Sequence, residues 1–327
     1  MTEMKRKILK SLLLMALACV GVQCKNPASA NSESFAEVAR ISQVEFSGDS
    51  AYKFVDAQCS FGPRVPGTSQ HIACGDYLEN EMKRYGNVTV QSPTLTAFNG
   101  KSYKARNIIT SINPDSARRV LLLAHWDSRP WADADADVAN HDKPVLGAND
   151  GASGVGVLME LARIFSANPP NVGVDIMFVD MEDMGTEGDD ESWALGTQYW
   201  VNNRHVPGYR PMFGILLDMV GAKDAQFQQE IYSKYYAPQV LSLVWDTASK
   251  SGYGKYFKNS LGGGVTDDHV FINQAGIPTI DIIDSNSGSA DGGFFPYWHT
   301  TRDDMSNISA ETLKAVGQTV ANVIYAL

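Results

Sequence analysis

The chain has 327 residues, of which 44% are apolar and 20% charged, and carries a net charge of −10. This is ordinary globular composition and excludes a coiled coil, a disordered chain and a collagen-like fibre. No dense Lys/Arg patch appears, which argues against a nucleic-acid or anionic-membrane partner, and four cysteines are too few for a disulfide scaffold.

Lys5, Arg6, Lys7 and Lys10 precede an apolar run over 12–22, followed by a polar, small-residue stretch over 26–34. The run is too short to span a bilayer unaided, so residues 1–24 read as a secretory signal peptide and 25–34 as a polar linker. Cys19 and Cys24 lie where a bacterial lipoprotein carries its acylated cysteine, and either lipidation or simple cleavage fits. The expectation is an exported, periplasmic protein, monomeric, with a possible membrane tether through that cysteine. Cys59 and Cys74 remain after cleavage, either paired or as buried thiols.

Along the mature chain, residues 35–56 read as a helical lead-in. The stretch 61–68 is too rich in Pro and Gly for a helix or central strand. Residues 72–85 have helical spacing. Short apolar runs then alternate with helices: strands over 120–124, 174–179, 214–217 and 278–283, and helices over 151–165, 192–201 and 239–251. Ser309 is placed to cap a last amphipathic helix through Leu313, Val316, Val320 and Ile324. No repeat or linker interrupts 35–327, which is read as a single catalytic domain. The alternation predicts an α/β fold, an open, mostly parallel central sheet with helices on both faces. In such sheets ligands bind beyond the carboxyl ends of the strands.

The polar residues after each strand form a pattern. His125-Trp-Asp127 ends the first strand, and Asn149-Asp150-Gly151 precedes the next helix. Asp180, Glu182 and Asp183 end the second strand, and Asp218 ends the third. Asp267-Asp268-His269 and Trp298-His299-Thr300 come late in the chain. An isolated strand-end Asp usually caps the following helix, and a lone buried His is usually a hydrogen-bonded core residue. Six such groups at the ends of successive strands are harder to explain that way. Gathered on one sheet edge they repel one another unless a cation neutralises them. Zinc suits such a set, since it takes imidazole nitrogen and carboxylate oxygen. No cysteine is near, so a structural thiolate zinc is excluded. The run Asp133, Asp135, Asp137 reads as a solvated acidic loop. Gly262-Gly-Gly264 reads as a flexible turn, because no phosphate-loop Lys-Ser/Thr follows it.

Taken together, these motifs resemble the zinc-dependent aminopeptidase clan of M28 type, and more specifically the animal-type glutaminyl cyclases and their bacterial relatives. The resemblance runs from about Phe61 to the C-terminus. Its most specific pieces are Arg64-Val-Pro-Gly67, Asn107-Ile-Ile-Thr-Ser-Ile-Asn-Pro114, His125-Trp-Asp-Ser128, Leu216-Leu-Asp-Met-Val-Gly-Ala222, Gly264-Val-Thr-Asp-Asp-His269 and Trp298-His-Thr300. It implies a zinc-aminopeptidase-like α/β/α sandwich with one zinc held by Asp150, Asp183 and His299. It implies Glu182 as general acid/base, joined by Asp218 and Asp267 in a carboxylate network, with Asp267 also meeting the substrate. Trp193 and Trp298 would wall the pocket, although plain core packing is their ordinary role. Many relatives carry Glu where Asp183 stands; Asp is one methylene shorter and remains a sound ligand. Residues 185–191 look like an extra loop beside the site.

The implied reaction converts the N-terminal glutamine of peptides and proteins to pyroglutamate with release of ammonia. The competing reading is a two-zinc aminopeptidase, in which His125 and Asp218 hold a second zinc and Asp150 bridges both. The Asn-Asp-Gly-Ala-Ser-Gly segment keeps that reading open. A binding protein without catalysis would be expected to have lost Glu182 or a ligand, and none is lost.

Overall fold

Strand β5 (Arg119–His125) is buried from its second residue to its last, and β6 (Gly173–Val179) throughout. Strands covered on both faces read as continuous apolar runs rather than alternating ones. These two form the centre of a six-stranded sheet in a computed structural model that describes residues 44–285 and 293–327. The expected signal peptide, the polar linker and residues 35–43 of the lead-in helix lie outside the described residues.

The sheet order is β1 (Asn87–Gln91), β4 (Asn107–Ile112), β6, β5, β7 (Gly214–Asp218) and β10 (Thr279–Ile283). Strands β6, β5, β7 and β10 run parallel, while β4 pairs antiparallel with both β6 and β1. The parallel core agrees with the pattern read from the sequence. Two short ladders stand apart: β2 (Thr94–Thr96) with β3 (Ser102–Lys104), and β8 (Phe227–Gln229) with β9 (Phe257–Leu261).

Alternation along β5 sorts the two faces. Val120, Leu122 and Ala124 join one apolar cluster with α1 (Gly48–Cys59), α2 (Ser69–Met82), α3 (Ala152–Ala167), α6 (Pro238–Lys250) and α8 (Ala310–Tyr325). Leu121 and Leu123 join the opposite cluster with Trp200 of α4 (Leu195–Asn202) and Ile272 of α7 (Asp268–Gln274). Ser309 caps α8 as expected, its Oγ accepting from the Thr312 N–H at 3.2 Å.

Two differences from the sequence reading have local causes. Among the described residues, 44–47 are not helical and α1 begins at Gly48, where Ser47 Oγ accepts from the Ser50 N–H at 3.1 Å and caps it. The helix expected from residue 192 begins at Leu195, because Trp193 is extended and Ala194 is left-handed at φ 53°. Cys59 and Cys74 are free and buried, and burial pushes their thiols up to about 11 and about 12. No described helix is long and apolar enough to cross a membrane.

Candidate metal and acid/base site

The carboxyl ends of β5, β6 and β7 deliver His125, the Asp180–Asp183 turn and Asp218 to one edge of the sheet. Asp150 arrives at the start of α3, Asp267 as the N-cap of α7, and His299 from the loop before α8. Three of the turns are held in left-handed backbone, at Met181 (φ 57°), Met219 (φ 48°) and His299 (φ 52°). Such conformations are costly for side chains with a Cβ and cluster where a site over-determines its geometry. Gly151 has φ 82°, and a Cβ there would fall 2.9 Å from His125 Cε1. Only glycine lets the imidazole pack so close to the Asp150 turn.

His299 Nε2 lies 3.2 Å from Asp183 Oδ1 and 3.7 Å from Asp150 Oδ2. The donor atoms of these three buried residues lie within 4.8 Å of one another, and Asp183 Oδ2 has no hydrogen-bond partner. One imidazole nitrogen and two carboxylates form a donor set that zinc takes readily and that leaves a coordination position open. The residues present therefore fit a catalytic zinc.

Each of the three is held from behind. Asp303 accepts from the backbone N–H groups of Asn149 at 2.8 Å and Asp150 at 3.0 Å. Asp127 accepts from those of Glu182 at 3.1 Å and Asp183 at 3.2 Å. Asp133 lies 3.3 Å from His299 Nδ1, which fixes the ring so that Nε2 faces the two carboxylates. Asp133 also pairs with Arg129 Nη2 at 2.5 Å, and Asp135 accepts from the Thr301 hydroxyl at 2.6 Å. Asp133 is thus tied to His299 and Asp135 to the Thr301 turn, which corrects the reading of these two as merely solvated; Asp137 is exposed and caps only its own turn, as read. His299 and Thr301 are remote in sequence, so no local pattern signals these two contacts.

Glu182 stands beside this set at 9% exposure. Burial and the neighbouring Asp267 push its carboxyl well above the usual range, with His125 opposing them. Burial raises Asp218 to about 7, its hydrogen bond to His125 opposes, and Asp150 and Asp267 raise it further. Asp267 is also raised by burial, with His269 and the Asp268 N–H opposing, and its Oδ2 is unpartnered. Behind Asp267 lie Asp281 and His269, whose donor atoms come within 4.8 Å of its own. His269 Nε2 in turn lies 3.0 Å from Glu230. Sequence reasoning placed Asp127 in the strand-end pattern without a role and missed Asp281, Asp303 and Glu230, because each acts through a contact distant in sequence.

Asp150, Glu182, Asp183, Trp193, Asp218, Asp267, Trp298 and His299 all line one cleft of about 210 Å³. Trp193 and Trp298 are only partly buried and flank His299, with ring centroids 6.2 and 3.7 Å from the imidazole. His125 does not line this cleft; its Nε2 lies 3.0 Å from Asp150 and 3.2 Å from Asp218. Burial opposes its charge, but the carboxylates of Asp127, Asp150 and Asp218 raise it well above the usual imidazole range.

The solved structure of Bacteroides thetaiotaomicron glutaminyl cyclase bound to N-acetylhistamine is 51% identical to this chain, with a TM-score of 0.85, and the match covers 87% of this chain and 99% of that one. A Zn-dependent exopeptidase from Parabacteroides distasonis is 50% identical with a TM-score of 0.85, covering 88% of this chain and 100% of that one. The glutaminyl-peptide cyclotransferase of Bos taurus is 24% identical over 284 residues, 76% of this chain and 74% of its own. Residues 107–324 match the model of Peptidase family M28, and the chain belongs to that family.

Proposed function

We propose that this protein is a zinc-dependent glutaminyl cyclase, which closes the N-terminal glutamine of peptides and proteins into pyroglutamate and releases ammonia. The observation that carries this reading is the 51% identity to a glutaminyl cyclase matched over nearly its whole length. The chemistry of the cleft supports it. The substrate's α-amine nitrogen attacks its own γ-carboxamide carbon, so a C–N bond forms, the bond to the amide nitrogen breaks, and ammonia leaves. One proton must leave the amine and one must reach the departing nitrogen. Glu182 serves both transfers, because its raised affinity for protons lets it accept one and return it. Asp218 and Asp267 share protons with it, since like charges so close cannot all ionise. Asp267, which lines the cleft, is the group that receives the amine in this reading. Trp193 and Trp298 hold the glutamine side chain folded near attack geometry and exclude water. Asp150, Asp183 and His299 would hold the zinc, which when bound supplies Lewis acidity toward the γ-carbonyl.

A second reading has its own observation. His125, Asp150 and Asp218 also bring donor atoms within 4.8 Å of one another, as a two-zinc aminopeptidase requires. Mass spectrometry of a Gln-initiated peptide incubated with the protein separates the two. Ammonia loss at unchanged chain length supports the cyclase; a peptide one residue shorter overturns it. The basic start and apolar run of residues 1–24 support export to the periplasm, with a lipidated Cys19 or Cys24 as the tether. Residues 35–327 act as one catalytic domain and as a monomer in the same reading, with one zinc per chain.

A further inference from the structure

The mouth of the cleft carries charge that the cyclisation chemistry does not use. The loop after Asp183 contains Glu187, Asp189, Asp190 and Glu191, all exposed, and Glu187 and Asp190 line the cleft itself. Among the described residues none of these four carboxylates has an ion-pair partner, and no Lys or Arg lines the cleft. The loop is fixed to the pocket wall. Thr186 N–H donates to Ser192 Oγ at 2.9 Å, Ser192 Oγ donates to Asp189 O at 2.6 Å, and Gln198 Nε2 donates to Glu191 O at 2.8 Å. Arg129 Nη1 reaches Gly185 O at 3.3 Å from beneath. A Cβ at Gly185 would fall 2.2 Å from the Trp193 indole, so the start of the loop lies flat on the tryptophan.

The floor of the same cleft is formed in part by Asp183 and Asp267, at 1% and 3% exposure, and the Oδ2 of each has no hydrogen-bond partner. In the proposed reaction the zinc and the substrate amine would answer the negative floor; among the described residues nothing answers the negative rim. A peptide whose first residue fills the cleft must leave through this mouth. Its second residue stands one step away, about 3.5 Å along the chain, and its side chain meets the rim.

We propose that Glu187 and Asp190 form a subsite for a cationic side chain immediately after the N-terminal residue, so that the preferred substrates open with Gln-Lys or Gln-Arg. The Gln in that statement rests on the cyclase reading; the cationic second residue does not. Exposed charge pairs are individually weak, and two carboxylates at the rim give a spread of roughly 3–10-fold in kcat/KM between a lysine and a glutamate at this position. Screening by salt reduces that spread.

Three peptides that differ only in the second residue, Lys, Ala or Glu, test the subsite by kcat/KM at low and high ionic strength. The expected order is Lys, Ala, Glu, with the spread shrinking in salt. The double variant Glu187→Gln, Asp190→Asn should collapse the spread. Asp115→Asn, an exposed charge beyond the opposite end of β5, should leave it intact. That control separates the rim from the overall charge of −10, which also attracts cationic peptides. A flat order in the natural protein, or a spread that survives the double substitution, overturns the subsite. Mass spectrometry of the same reactions reports the chemistry separately. Peptides shortened by one residue would overturn the cyclase reading, while their ranking would still decide the rim.

Discussion

Asp303 holds Asp150 by its backbone: its Oδ2 accepts from the Asp150 N–H at 3.0 Å, while its Oδ1 accepts from that of Asn149 at 2.8 Å. The carboxylate thereby sets the turn that aims Asp150 at His299. Burial and the charge of Asp150 raise Asp303 to about 8, with the two N–H groups opposing. An asparagine cannot accept through both ends. Asp303→Asn should weaken zinc binding roughly 10–100-fold, the usual cost of losing a group that orients a ligand. Chelator competition measures it, and unchanged affinity would show that Asp150 is placed without this support.

Glu182→Gln should keep both the fold and the zinc and lose turnover by roughly 10²–10⁴-fold, the typical worth of a positioned acid/base. The substitution also removes a buried carboxyl whose ionisation burial and Asp267 oppose, so the melting temperature should not fall. Near-normal cyclisation in this variant would mean that another group moves the proton.

Trp193 and Trp298 are partly exposed in the cleft, whereas Trp126 and Trp200 are fully buried. Trp193→Ala and Trp298→Ala should therefore act mainly on KM and on selectivity for N-terminal glutamine. Trp200→Ala should instead cost about 3–5 kcal/mol of stability, as large core truncations do. Thermal melts beside steady-state kinetics separate the two behaviours. Equal destabilisation of all three variants would return Trp193 and Trp298 to the core.

What could be read from the sequence follows from how local each signal is. Strands β5, β6, β7 and β10 are apolar runs, and the residues after β5, β6 and β7 fall on one edge by topology alone. Strand β1 escaped notice because Asn87–Gln91 is never fully buried and shows no apolar run. Helices α5 (Ile231–Tyr236) and α7 are too short for a periodic signal. In the site, His125, Asp150, Asp183 and Asp218 announce themselves at element ends. Asp133, Asp281 and Glu230 do not, since their roles arise only when loops remote in sequence meet.

Asp284 provides a test of pH dependence away from the cleft. It is 8% exposed, and burial raises it from 3.8 to about 6, with only the Gln226 N–H opposing. The folded state therefore keeps this proton to a higher pH than the unfolded chain does. Its contribution to stability is lost as pH rises from about 4 to 6, and the full cost persists above that. The shift bounds this cost at about 3 kcal/mol. Asp284→Asn should raise stability at pH 8 and change little at pH 4. Denaturant unfolding at both values checks it, and an equal effect at the two would show that the proton is not responsible.

The number of zinc ions turns on His125. Its Nε2 lies 3.0 Å from Asp150 Oδ1 and 3.2 Å from Asp218 Oδ1, and its Nδ1 lies 3.5 Å from Asp127. Those three carboxylates outweigh burial and raise the imidazole well above its ordinary range, which favours the protonated ring over the neutral one that a metal needs. A doubly protonated ring has no lone pair for a metal. In the one-zinc reading that ring would supply the positive charge facing Asp150 and Asp218 in place of a second ion. Protein prepared without chelator should therefore carry one tightly held zinc. His299→Ala should remove it, and His125→Ala should retain it while lowering turnover. Metal analysis beside activity during zinc titration decides the matter. Two tight ions per chain, both required for activity, would mean that His125 gives up its protons to a metal, and would move the assignment to the two-zinc aminopeptidase.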